Sequence, residues 1–271
     1  MGERGHAGCA TPAGSGSRVS RRPDSKTLCP TRWRWTGGRR VKVRVAERFL
    51  SLQGEGLTTG VPTYFIRLSG CNLRCSWCDT PYAFEGGEEV EVASVVEEAL
   101  SSGAPRVCIT GGEPLLQRGA VELLVKILER GVGVDLETNG TIPLLPVLER
   151  VERSSADPGH LLISMDVKCP SSGEEGKTHW ENLKLLRESD QLKFVVADEE
   201  DILYAERVLK QHPTRAELLF TPVWGAPVKA LAELFLRESL RERSPIAPGR
   251  ARFLLQMHKY IWGEGRGEGI G

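Results

Sequence analysis

Three cysteines stand close together in the segment Gly70-Cys71-Asn72-Leu73-Arg74-Cys75-Ser76-Trp77-Cys78. The C-x3-C-x2-C spacing is too tight for a disulfide framework and suits a single metal centre in a reducing compartment. A compact loop of this kind can wrap three corners of an iron–sulfur cubane with thiolates, leaving the fourth iron open to a small molecule. Zinc is the plainer alternative. Zinc sites, however, come as paired C-x2-C units or with nearby histidines, and no His lies between Tyr64 and Arg150.

A second motif, Thr110-Gly111-Gly112-Glu113-Pro114, follows one strand-and-helix unit later. Glycines let backbone approach a ligand closely, and an ammonium group needs acceptors. Alone, the segment reads as a turn entering a helix, with Glu113 and Pro114 in the favoured first positions. Of the other cysteines, Cys108 sits in an apolar strand and reads as core. Cys169 adjoins Lys168, and burial explains it as well as chemistry does. Cys9 and Cys29 read as incidental.

The elements that must hold these motifs alternate between short β-rich runs and helical windows, the pattern of repeated βα units on a largely parallel sheet. Strands are expected at 43–49, 63–69, 106–110, 132–137, 161–167, 191–196, 217–221 and 252–257. Helical windows with apolar residues three or four apart cover 92–101, 117–130, 180–188, 199–211 and 228–241. The chain is short for a closed eight-fold barrel of about 250 residues, so a partial, open TIM-like βα barrel is expected, with function at the C-terminal ends of its strands. Cys71, Gly111, Thr138-Asn139-Gly140 and Lys168 all fall at such ends.

The 271 residues, 40% hydrophobic, suffice for one catalytic domain over 41–271. Lys plus Arg balances Asp plus Glu at 36 each, so no overall field argues for nucleic acid or an acidic membrane as partner. Residues 1–40 carry eight Arg and one Lys against Glu3 and Asp24, with much Gly, Ser and Pro. They read as a disordered basic tail or an over-extended start, and the rest of the chain is acidic. No apolar run reaches the roughly 18 residues of a membrane span, and no secretory h-region is present, so a cytoplasmic protein is expected.

The cysteine spacing with its glycine-rich partner resembles the radical S-adenosylmethionine (SAM) superfamily. Further motifs resemble one family within it, the 7-carboxy-7-deazaguanine synthases, from residue 43 to about 262: Ser51-Leu52-Gln53-Gly54-Glu55-Gly56, Arg67, Cys78-Asp79-Thr80, the segment from Ser164 to Gly173, Thr221-Pro222-Val223-Trp224, and Gln256-Met257-His258-Lys259-Tyr260. The last block is the strongest discriminator. The chain departs from the family pattern at Asp166-Val167-Lys168, where Ser-Pro-Lys is usual.

The resemblance implies a 4Fe-4S cluster on Cys71, Cys75 and Cys78, and a magnesium ion on Thr80 beside the substrate carboxylate. It implies SAM contacts from Trp77, Cys78, Asp79, Gly112, Glu113, Ser164, Asp166, Lys168, Thr221 and Trp224. Pterin contacts are implied for Leu52, Gln53, Gly54, Glu55, Arg67, Thr110, Gln256 and His258. The implied reaction takes 6-carboxy-5,6,7,8-tetrahydropterin to 7-carboxy-7-deazaguanine with loss of ammonia, SAM being regenerated. A flavodoxin or ferredoxin as electron donor and a homodimer are implied as partners. A glycyl-radical-enzyme activase would share the first two motifs but not the Gln53 and Gln256 blocks. A non-catalytic zinc-binding interaction module is the alternative from another class.

Overall fold

The computed structural model describes residues 40–246 and 249–263. Contacts divide the chain into Met1–Thr36 and Gly37–Gly271, and all described residues belong to the second unit. The tail expected over residues 1–40 lies outside the described residues, save for its last position.

Nine strands form one open sheet: β1 (Lys42–Leu52), β2 (Pro62–Leu68), β3 (Glu88–Glu91), β4 (Arg106–Gly111), β5 (Gly133–Thr138), β6 (Leu161–Val167), β7 (Gln191–Val196), β8 (Glu217–Pro222) and β9 (Ala251–Phe253). Their order across the sheet is β3-β1-β2-β4-β5-β6-β7-β8-β9, and the two end strands do not meet. From β2 to β9 every neighbouring pair is parallel, whereas β1 runs antiparallel to both β2 and β3. The helices α1 (Val92–Ser101), α2 (Arg118–Leu128), α3 (Leu145–Glu152), α4 (Asn182–Leu185), α5 (Glu199–Gln211), α6 (Val228–Leu240) and α7 (Met257–Trp262) fall between or after the strands. The architecture is thus the expected open βα barrel.

Alternation along each strand divides its side chains between two environments. One set packs with the helices: Val107 and Ile109, Leu136, Ile163 and Met165, Leu192 and Phe194, Leu218 and Phe220 are all completely buried or nearly so. Phe194 stacks on Phe220 with ring centroids 5.3 Å apart, and Phe220 meets Phe235 of α6 at 5.2 Å. The opposite set is polar. Arg67, Thr110, Glu137, Asp166 and Lys193 all line one cavity.

Four elements differ from the sequence expectation. β3 is too acidic to show an apolar pattern; it pairs with β1 at the edge and its glutamates meet Lys42 at 2.7 Å and Arg40 at 3.0 Å. The helix α3 has no counterpart among the expected windows, although Leu144, Val147 and Val151 bury one face of it. The window 180–188 shrinks to the four residues of α4, because the buried Asp190 carboxylate accepts the Arg187 amide at 2.8 Å and Leu186 turns extended. The expected strand 252–257 stops at Phe253. The chain then leaves the sheet so that the Met257 amide can donate to the Gly54 carbonyl at 2.9 Å, and α7 begins there.

Because Phe194 is fully buried and stacks on Phe220, the ring that joins the sheet to α6, Phe194→Ala should lower the unfolding free energy by about 3–5 kcal/mol. Urea denaturation followed by circular dichroism measures this, and a loss below 1 kcal/mol would show that the cluster of rings repacks freely.

Candidate active site

The three cysteines occupy the loop after β2, each half-buried, each without a disulfide partner, and each on the wall of the same cavity. The loop is held from below by β4. Gly112 donates its amide to Leu68 O at 3.1 Å and Glu113 donates to Gly70 O at 2.8 Å. A Cβ on Gly111, whose φ is +151°, would stand 2.1 Å from Leu68 O, and one on Gly112 would stand 2.3 Å from Gly70 O and 2.6 Å from Cys71 Cβ. Only glycines permit this approach.

Two later loops clamp the same segment. The Asn139 side-chain amide donates to Asn72 Oδ1 at 3.0 Å, and Asn72 donates to Thr141 Oγ1 at 2.8 Å. On the other flank Ser76 donates from its amide to Ser172 O at 3.0 Å and from its hydroxyl to Ser171 O at 2.6 Å, while the Trp77 indole donates to Ser171 Oγ at 3.1 Å. Burial pushes the Cys71 and Cys75 thiols up, with a smaller opposing contribution from Lys168. These thiols must therefore lose their protons when metal binds.

The donor set fits a cubane. Among the described residues no three His, Cys, Asp or Glu side chains stand close enough to hold one metal ion. Thiolates on a cubane each take a different iron.

The cavity measures about 570 Å3. Leu52, Gln53, Gly54 and Glu55 form one wall after β1, and Gln256 and His258 approach them from the start of α7. The His258 ring packs directly on Gly54, where an added Cβ would lie 2.2 Å from its Nδ1. Glu55 accepts from Gln256 Nε2 at 2.8 Å and from Lys193 Nζ at 2.6 Å. Burial would raise its carboxyl, but the Lys193 and His258 charges and these hydrogen bonds win and hold it at about 2. Gln53 donates to Glu137 Oε1 at 3.3 Å, and the Thr110 hydroxyl donates to Glu137 Oε2 at 2.7 Å. Arg67 donates from Nε to Glu47 at 2.6 Å, and the same oxygen accepts from Tyr82 at 2.7 Å. Lys168 pairs with Asp166 at 2.8 Å and stands 5.5 Å from the Trp77 ring centre. Asp79 pairs with Lys259 at 3.1 Å. Thr80 is on the wall, its hydroxyl 3.8 Å from Cys78 Sγ, and Trp224 lies across the rim with its ring edge-on to Tyr260 at 5.2 Å.

Three residues named for cofactor contact do not reach the cavity wall. Glu113 is fully buried and turned away, its carboxylate accepting from the amides of Leu115 at 2.9 Å and Asn139 at 2.7 Å and from the Thr138 hydroxyl at 2.9 Å. Burial raises it to about 7 despite those donors. Its side chain fixes the Thr138–Asn139 turn, and Gly112 is the member of the motif that faces the cavity. Ser164 lies one inward position deeper than Asp166 and accepts from Gln191 Nε2 at 2.7 Å. Thr221 is 1% exposed within β8.

Conversely, the sequence did not single out Glu47, Tyr82 or Lys193, of which Tyr82 and Lys193 line the cavity, whereas Glu137 near the end of β5 lines it as its place at a strand end predicts. For Lys193 the signal was present: a lysine between Leu192 and Phe194 repeats the pattern of Arg67 between Ile66 and Leu68.

Comparison with known proteins accords with this geometry. Residues 65–171 match the radical SAM superfamily, which implies a 4Fe-4S cluster and SAM. A 7-carboxy-7-deazaguanine synthase from Methanospirillum hungatei is 44% identical over 223 residues, covering 81% of this chain and 85% of that protein. The chain belongs to the 7-carboxy-7-deazaguanine synthase family. It is therefore a radical SAM enzyme, and the activase and zinc-module alternatives are not favoured. The synthase from Thermoplasma acidophilum is 35% identical, with 81% and 97% covered. The crystal structure of QueE from Escherichia coli shares the fold with a TM-score of 0.59 at 22% identity, covering 80% of this chain and 95% of that one. Among the described residues no helix is long and apolar enough to cross a membrane.

Two outcomes follow from this geometry. Gly112→Ala should leave the far-ultraviolet circular dichroism intact but cut iron and sulfide uptake on anaerobic reconstitution several-fold, because the new methyl collides with backbone and with Cys71; full uptake would show that the loop can shift. Glu55 is depressed in the fold, so its stabilising contribution is present above its unfolded value near 4.3 and is lost as pH falls from there through about 2. Between pH 5 and 3 the urea midpoint should thus fall more steeply in the native chain than in Glu55→Gln, and parallel profiles would refute the pairing.

Proposed function

We propose that this cavity converts 6-carboxy-5,6,7,8-tetrahydropterin to 7-carboxy-7-deazaguanine with release of ammonia. The observation that carries the reading is the meeting, in one cavity, of a three-thiol loop with an opposed wall of Gln53, Glu55, Arg67, Thr110, Gln256 and His258. That wall suits a flat heterocycle bearing an amide-like edge and a carboxylate.

Cys71, Cys75 and Cys78 would hold a 4Fe-4S cluster, which together with SAM would supply one-electron chemistry and the abstraction of a substrate hydrogen. The remaining tasks belong to the chain. Gln53 is oriented before substrate arrives, since its amide donates to Glu137 while its carbonyl accepts the Glu55 amide at 3.3 Å. Glu55, kept ionised, accepts from the N–H edge of the ring. Glu47 and Tyr82 hold Arg67 by its Nε side, which leaves its Nη groups to clasp the carboxylate in the paired geometry that guanidinium favours. Thr80 would offer its hydroxyl to a magnesium ion, which would supply charge to hold the substrate carboxylate in place. Gly112, Trp77, Asp166, Lys168 and Trp224 border the space for SAM, with the Trp224 ring available to stack on adenine. Enclosure and orientation, more than any side-chain acid or base, are the protein's contribution.

A small one-electron carrier such as a flavodoxin or ferredoxin would serve as reductant, and the family's dimeric habit extends to this chain.

Anaerobic incubation of the reconstituted protein with dithionite, SAM, magnesium and the carboxypterin should yield 7-carboxy-7-deazaguanine detectable by mass spectrometry, and its absence at full cluster content would refute the assignment. Thr80→Val keeps the shape and removes one oxygen ligand of a hard cation. It should lower turnover and flatten the magnesium dependence while slow substrate-free SAM cleavage persists. Wild-type turnover with an unchanged magnesium titration would make Thr80 a turn residue only.

A further inference from the structure

Lys193 stands where two carboxylates from different walls of the cavity converge. Its side chain is 9% exposed, and its ammonium lies 2.6 Å from Glu55 Oε2 and 3.3 Å from Asp166 Oδ1. Asp166 is its register partner across the parallel pair β6–β7. The other oxygen of Asp166 meets Lys168 Nζ at 2.8 Å, and the other oxygen of Glu55 accepts from Gln256 at 2.8 Å. Four charges of alternating sign thus run without a gap from the Gln53–Glu55 wall to the side that carries the cysteine loop.

We infer that Lys193 is a positioning residue that couples occupancy of the pterin half of the cavity to occupancy of the SAM half. The inference rests on the proposed assignment of those halves. An ammonium shared between two partly buried carboxylates divides its interaction between them. A ligand N–H that engages Glu55 draws on that carboxylate, and Lys193 then holds Asp166 more firmly. Asp166 is ordered before the second ligand arrives, so the second ligand has less ordering entropy to overcome. Linkage requires the effect to be the same in both directions.

The experiment titrates SAM into anaerobic protein carrying the oxidised, turnover-silent cluster, with and without saturating 6-carboxytetrahydropterin, by calorimetry. Wild type should bind SAM about tenfold more tightly when the pterin is present. Lys193→Met should bring that ratio to near one at unchanged cluster content, and Lys193→Arg should restore part of it. Lys193→Met removes the partner that Glu55 and Asp166 share, so Lys193→Gln, which keeps a neutral donor between them and leaves both ligand-contacting carboxylates in place, accompanies it and should show the same loss of the ratio with pterin binding still measurable. A wild-type ratio near one with both ligands bound, or a ratio retained in a folded variant lacking the ammonium, overturns the inference alone. Wild type that takes SAM but no pterin overturns the substrate assignment, and the inference with it.

Discussion

At the end of β4 two stretches of backbone touch with no room for a methyl group between them. Gly111 and Gly112 lie against Leu68 and Gly70 so closely that any side chain would penetrate a carbonyl. The amides of Gly112 and Glu113 bond those same two carbonyls. This contact fixes the cysteine loop to the parallel sheet by main chain alone. The Glu113 carboxylate then carries the constraint one strand further, to Thr138 and Asn139, and Asn139 returns it to the loop through Asn72. The loop is therefore set by a closed circuit of bonds, which gives it a fixed shape before any metal is present.

The sheet that supports this circuit is unusual in its polar concave side. Arg67, Glu137, Asp166 and Lys193 come from four different strands and point at one space. Buried ions of this sort add little to stability, because desolvation offsets most of their attraction. They fix geometry instead: each carboxylate has a defined donor, and the apolar side of the same strands, packed on the helices, supplies the stability that the polar side does not.

Much of this was legible in the sequence. The seven parallel strands from β2 to β9, the open barrel and the three-thiol loop follow from apolar runs and cysteine spacing, which are local signals. What escaped notice is non-local or contradicts the usual periodicity. β3 is held by Glu88, Glu89 and Glu91 against Arg48, Lys42 and Arg40 of distant segments, and nothing in Glu-Glu-Val-Glu announces a strand. The end of β9 depends on a hydrogen bond to Gly54, far away in sequence. In the site, the motif resemblance pointed to residues that the fold does bring to one cavity wall, among them Gln53, Glu55, Arg67, Gln256 and His258. Glu113, Ser164 and Thr221 lie off the cavity wall because a motif specifies which residue occurs but not its depth or its partners: Leu115, Thr138 and Asn139 hold the Glu113 carboxylate, Ser164 sits one inward position deeper than Asp166, and Thr221 is buried within β8.

A late segment of the chain closes the cavity: Gln256 donates to Glu55, 201 positions earlier, and Lys259 pairs with Asp79. During synthesis the cysteine loop leaves the ribosome long before its covering wall exists. For the time needed to add the residues between Cys78 and Lys259, the thiols face the cell without the helix that later closes over them. At roughly 5–20 residues per second that interval lasts on the order of ten seconds or more. The order of residues along the chain therefore sets a temporal order for assembly: the three-thiol loop is complete before the segment that walls the cavity beside it exists.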